Sequence, residues 1–276
     1  IYPSVGMLLC NHKDILYKQA CMDAYNRWIS EFCAADPSRL YGLGQSALLS
    51  VEQGIEDLVR MKDMGLKGIM MPGFPGDSYS GDTPDYHDPY WDPFYEASVE
   101  LRMPISFHIL TTKTERTRGP KISSFLSIVR GWQDIMAMPV FGGVFERHPD
   151  LKVVCVEADA GWVPHFMYRM DHAFNRHRYW LKPGAELHRL PSEYFADHIY
   201  VTFQDDWTAF KFADSMNWRR LMWANDFPHS DSTWPWSQEL LDKHTATMSD
   251  EQTRAILSDN VADLYGIDRS SLPTTA

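Results

Sequence analysis

Short apolar runs alternate along the chain with longer stretches in which apolar residues recur at helical spacing. In "DILYKQACMDAYNRWISEFCAA", Leu16, Ala20, Ala24, Trp28 and Phe32 return every fourth residue, which predicts an amphipathic helix that stops at Asp36-Pro37. The run "LYGLGQSAL" reads as a strand, and Ser50 with Gln53 three residues on reads as the capping box of a helix closed by Gly65. Further apolar runs begin near Lys67, Pro104, Lys152, Ile199 and Arg220, with helical patterns between them and a second capping box at Ser249 and Gln252. The opening "IYPSVG" reads as the tail of another strand, which brings the predicted strands to seven.

Strands that alternate with helices form parallel βαβ units, and strands apolar along their whole length belong to a sheet covered on both faces. A doubly wound open sheet satisfies that pattern. The polar and chemically capable residues, however, cluster at the C-terminal ends of the strands, where barrels build their sites. The expectation is therefore an α/β protein with a (β/α)8 TIM barrel occupying residues 1–276 as one domain, its first strand lying upstream of Ile1.

Composition narrows the partners. With 44% hydrophobic and 13% aromatic residues over 276 positions, the chain can bury a large core. A net charge of −11 argues against nucleic acid, which calls for a basic stripe, and no apolar run approaches the roughly 20 residues of a membrane span. Cys10, Cys21, Cys33 and Cys155 lack zinc-type spacing and read as free thiols of a reducing, cytoplasmic protein. "GFPGDSYSG" follows a strand without running into a helix, so it is a weak phosphate loop.

Counting from a missing first strand, "ISFHIL" is strand five, "VVCVEAD" strand six and "LMWANDF" strand eight, which sets His108, Glu157 and Asp226 at one mouth. Here the chain resembles the amidohydrolase superfamily, in particular the branch that contains metal-dependent hydrolases and aminocarboxymuconate-semialdehyde-decarboxylase-like enzymes. The segments "YNRWISEFCAADPSRL", "GLKGIMMP", "GGVFERHPDLKVV", "EADAGWVPHFMYRMD", "PSEYF" and "WANDFPHSDSTWP" carry the resemblance in order across nearly the whole chain. It implies that His108 ligates a metal and that Asp226 both ligates it and handles the proton of an attacking water. One divalent ion is implied, Zn²⁺ first, with Mn²⁺ or Fe²⁺ as alternatives that accept the same mixed N and O donors.

The family's ligand pair on strand one is absent from this sequence. Where many members carry a strand-six histidine in an Ala-His-Gly-Gly type motif, this chain has "VEADAGWVP", leaving Glu157 as metal ligand, general base or a structural carboxylate paired with Arg147 or Arg169. His229 follows Asp226 by three and is the second catalytic candidate. His165, Trp207 and Trp234 are candidates for binding a flat or apolar substrate, with Trp132 and Trp236 as further aromatic loop residues, while Asp205 and Asp206 read as the start of a helix.

Three functions compete: hydrolysis of an amide, ester or lactone by a metal-activated water, nonoxidative decarboxylation, and a noncatalytic barrel subunit. The missing strand-six histidine tilts the expectation to hydrolysis. The expected partners are a small-molecule substrate, other copies or subunits in a homo- or hetero-oligomer, and an upstream N-terminal segment that completes the barrel.

Overall fold

The structure, a computed structural model, describes residues 1–76, 83–111 and 119–269. Six strands, β1 (Gly44–Gln45), β2 (Ile69–Met71), β3 (Ile105–His108), β4 (Val153–Val156), β5 (Ile199–Phe203) and β6 (Leu221–Trp223), lie side by side in chain order and pair in parallel throughout. Helix α1 (Ile15–Cys33) precedes them. The crossovers carry α2 (Val51–Asp63), α3 (Asp92–Leu101), α4 (Ser123–Phe141) with α5 (Val144–Arg147), α6 (Val163–His177) with α7 (Pro191–His198), and α8 (Trp207–Lys211). After β6 come α9 (Ser237–Thr245), α10 (Asp250–Arg254) and α11 (Asn260–Tyr265).

Local chemistry accounts for the boundaries. Ser50 Oγ accepts the Gln53 N–H at the start of α2, and Gly65, at φ +80°, makes the left-handed turn that ends it. Ser249 and Gln252 form the full reciprocal box at α10. Asp206 caps α8 by accepting from Thr208 and Ala209 and also holds the amides of Ala160 and Gly161, so its carboxylate is fully occupied in structure.

Period-two alternation divides the strands into two faces. Val153 and Cys155 join the large core under the helices, whereas Val154 and Val156 turn to the opposite side with Met222 and Tyr200. Tyr2 packs into this inner cluster, its hydroxyl 3.1 Å from both Ser106 Oγ and Tyr265 Oη.

Sequential parallel order is that of a β/α barrel, but among the described residues β6 and β1 do not pair and the ring is not closed. The strand expected near Ile1 is replaced by a single point of pairing: the Ile1 amine donates to Tyr41 O and Leu43 N–H donates to Ile1 O. Pro3 lacks an N–H for a ladder, Ser4 turns to φ +53°, and residues Ser4–Asn11 form a 3₁₀ helix instead.

Helix α1 presents the other face to the core. Leu16, Trp28 and Phe32 are 71%, 55% and 48% exposed, while Lys18, Gln19, Met22, Asn26, Ile29 and Cys33 are buried. The polar residues turn inward because α1 lies along the free edge of β1. Asn26 Nδ2 donates to Gln45 O and Asn26 Oδ1 accepts Gln45 N–H, both at 2.8 Å, occupying the backbone groups a neighbouring strand would take. Trp132, expected in a loop, sits inside α4 and is 1% exposed. Most of the weak phosphate-loop segment lies outside the described residues.

Candidate functional site

His108 is the last residue of β3, and alternation from Ser106 turns its imidazole to the inner face, where it is 2% exposed. Its Nδ1 lies 2.9 Å from Ile109 O. A carbonyl only accepts, so Nδ1 carries the hydrogen and, in the neutral ring, Nε2 carries the lone pair. That Nε2 lies 2.9 Å from Glu157 Oε2. Two lone-pair atoms at this distance repel unless a proton or a metal ion sits between them.

Glu157 reaches this place by leaving the strand pattern. After Val154 and Val156 face inward, Glu157 by alternation would point to the helices; instead its backbone adopts φ +60° and the side chain swings to the mouth. Its N–H is fixed by Thr202 Oγ1 at 2.8 Å. It pairs with His108, not with Arg147, which is taken by Asp92.

Asp226 lies three residues beyond β6, again at positive φ (+56°). Oδ1 accepts the His229 Nδ1 hydrogen at 2.8 Å, while Oδ2 is buried and has no hydrogen-bond partner among the described residues. Burial, and then the Glu157 carboxylate, hold the Asp226 carboxyl above its usual range, opposed by His229. On the far side of the ring, His229 Nε2 is 2.7 Å from Ser4 Oγ.

Glu157, Asp226 and His229 each bring a ligand atom within 4.8 Å of the others, and His108 stands directly against Glu157. A divalent ion fits these residues on two counts: the orphaned, buried Asp226 Oδ2, and the opposed acceptors of His108 and Glu157. Two cavities meet at this cluster. One, of about 510 Å³, is bordered by Tyr2, Ser4 and His108; the other, of about 410 Å³, by Val5, Leu8 and Leu110; both include Glu157, Gln204, Asp226 and His229. A larger cavity, of about 610 Å³, lies against Lys67, Pro104 and Lys152 at the opposite ends of the strands and holds none of these groups.

The structure thus brings together His108, Glu157, Asp226 and His229. His165 is exposed on α6, Trp207 is exposed at the start of α8, and Trp234 is exposed against Phe227; none lines either cavity. Sequence reasoning missed Ser4, Tyr2 and Asp159. Asp159 also sits at positive φ (+53°), lines the second cavity and leaves Oδ1 buried without a partner among the described residues. Burial, then Asp206 and Asp231, push its carboxyl up to about 6. A second acid two residues beyond Glu157 was the available signal; Ser4 and Tyr2, far away in sequence, gave none.

The sequence profile of the amidohydrolase family matches residues 15–267. Among curated proteins, the chain is 25% identical over 217 residues to a gamma-resorcylate decarboxylase of Polaromonas sp., covering 74% of this chain and 64% of that one. It is 27% identical over 210 residues to a 2-amino-3-carboxymuconate-6-semialdehyde decarboxylase of Dictyostelium discoideum, covering 74% and 55%. The chain therefore spans less than two thirds of the length of these relatives. Among solved structures, a 2,6-dihydroxybenzoate decarboxylase from Rhizobium superposes with TM-score 0.76 at 19% identity over 94% of this chain and 81% of that one. A 5-carboxyvanillate decarboxylase from Novosphingobium aromaticivorans, with bound manganese, gives 0.77 at 18% over 94% and 74%.

These findings correct the expectation of hydrolysis, because the relatives are decarboxylases of organic acids. The inference from the missing strand-six histidine fails for a physical reason: the mouth carries another imidazole, His229, from the loop after β6, so the absence of one on β4 does not leave it without a group that can carry a proton. Zinc as the first metal is likewise unsupported, since the solved relatives that name a metal name manganese.

Proposed function

The chain belongs to the amidohydrolase family, and from that premise we propose that it is a metal-dependent decarboxylase of a small aromatic or similarly unsaturated carboxylic acid. The observation that carries the reading is the facing pair of His108 Nε2 and Glu157 Oε2 beside the unpartnered Asp226 Oδ2. Acceptor atoms of three residues gathered at one cavity wall ask for a cation, and the solved decarboxylase structures of similar fold, three of which name manganese, support Mn²⁺.

His108, Glu157 and Asp226 would hold the ion, which supplies positive charge to orient the substrate carboxylate and stabilise charge that builds on the substrate as the bond breaks. Ile109 O fixes the ring of His108 so that Nε2 stays available. In the reaction the carbon–carboxyl bond breaks, CO₂ leaves, and the electron pair left on carbon takes up a proton. His229 holds a proton at Nδ1 against Asp226 Oδ1, one transfer from the carboxylate that faces the substrate space. Val5, Leu8 and Leu110 form an apolar wall suited to a flat ring.

The test is product analysis with Mn²⁺-loaded protein and a panel of hydroxybenzoates that includes 2,6-dihydroxybenzoate. Stoichiometric CO₂, and in D₂O a product carrying one deuterium at the former carboxyl carbon, is the expected result. Ester or amide cleavage without CO₂ would overturn the reading.

A further inference from the structure

We propose that Ser4 is a positioning residue: through His229 it determines which oxygen of Asp226 remains free to hold a cation. The inference rests on the metal-dependent reading above.

The donors and acceptors leave one arrangement. An ionised Asp226 can only accept, so the hydrogen between it and His229, at 2.8 Å, belongs to Nδ1. Neutral imidazole has one N–H, and Nε2 must therefore accept. The group facing it is the Ser4 hydroxyl at 2.7 Å, which donates. Asp226 thus imposes the Nδ1–H form of His229, and Ser4 completes it by donating to Nε2 and holding the ring's outer edge. Nδ1–H then engages Asp226 Oδ1 and leaves Oδ2 as the buried atom without a partner.

Without the hydroxyl, Nε2 loses its donor and the outer edge of the half-buried ring is no longer held, so the ring and the Asp226 carboxylate it engages both lose their fixed orientation. The backbone argues in the same direction. Ser4 and Asp226, far apart in sequence, are both held at positive φ, +53° and +56°, where a side chain is disfavoured and glycine is not. Asp226 gains from this a carboxylate aimed into the mouth, and Ser4 an oxygen aimed at His229.

Mn²⁺ titration, by calorimetry or by loss of the free-ion EPR signal, tests this without recourse to turnover. Ser4→Ala removes the hydroxyl and keeps the backbone strain, whereas Ser4→Gly removes the hydroxyl and relieves it. Both variants are expected to bind Mn²⁺ about tenfold more weakly, within the range usual for groups that orient a ligand. Neither should weaken binding further in a His229→Ala background, because Ser4 acts through that ring. Wild-type affinity in either variant, a loss in Ser4→Ala that Ser4→Gly restores, or additive losses with His229→Ala would overturn the assignment. Wild-type protein that fails to bind Mn²⁺ saturably overturns it together with the metal reading. Absence of CO₂ from protein that binds Mn²⁺ as expected sinks only the decarboxylase function.

Discussion

The strand interiors and the rim at their C-terminal ends are built on opposite terms. Within β3 and β4 side chains alternate between the helix-facing core and the inner face. At the rim the alternation stops, and Leu110, Glu157, Asp159 and Asp226 all adopt positive φ. Each such non-glycine residue costs on the order of 1–3 kcal/mol and persists only where surrounding structure enforces it. Stability is gathered in the body of the sheet and spent at the rim, where the acids converge.

Substitutions at the rim should therefore damage chemistry more than folding, and those in the body the reverse. The largest effect is expected for Asp226→Asn, which keeps size and fold but offers an amide where the proposed function needs a carboxylate to bind a cation and pass a proton. CO₂ release should fall by about 10³-fold with an unchanged circular dichroism spectrum. Near-normal turnover would remove Asp226 from the machinery. His108→Ala should weaken Mn²⁺ binding by at least about 100-fold in a titration, and unchanged metal content would reduce His108 to a packing residue.

In the body, Val154→Ala should cost about 2 kcal/mol by denaturant unfolding, with metal affinity preserved. A metal-free protein should also show the rim's electrostatic strain. Because the folded Asp159 carboxyl is raised to about 6 by burial and by Asp206, Asp231 and Asp205, the folded state binds its proton more tightly than the unfolded chain does. Its contribution is present below the unfolded carboxyl's range near pH 4 and is lost as pH rises through about 6. The loss should be on the order of 3 kcal/mol and absent in Asp159→Asn. The smallest effect is expected at Leu110, at φ +66°: Leu110→Gly should leave stability unchanged or raise it by up to about 1 kcal/mol. A loss as large as that of Val154→Ala would show that the rim is not strained as described.

The same division explains how much could be read from the chain. Apolar runs located all six observed strands, and the place of His108 at the end of its strand put it at the mouth, because in those segments burial and backbone geometry obey one period. Asp226 was legible from its place after the last strand. The role of Glu157 was not, since it depends on a backbone reversal that residue type does not announce. For α1 the helical period was correct and the buried face was not: hydrophobicity alone assigns Leu16 and Trp28 to the core, whereas the free edge of β1 draws in Asn26 and Gln19. Ser4 escaped notice because its partner is 225 residues away.

Asn26 has a further consequence at the level of many molecules. A parallel sheet that stops at a two-residue strand offers its last amide and carbonyl to any extended segment that drifts alongside, including one from another copy. By filling both bonds of Gln45 with a single side-chain amide, Asn26 works as a terminator for sheet growth, and it does so from a helix, which cannot itself be extended by another strand. An extended segment drifting alongside Gln45 thus finds neither of its backbone bonds vacant.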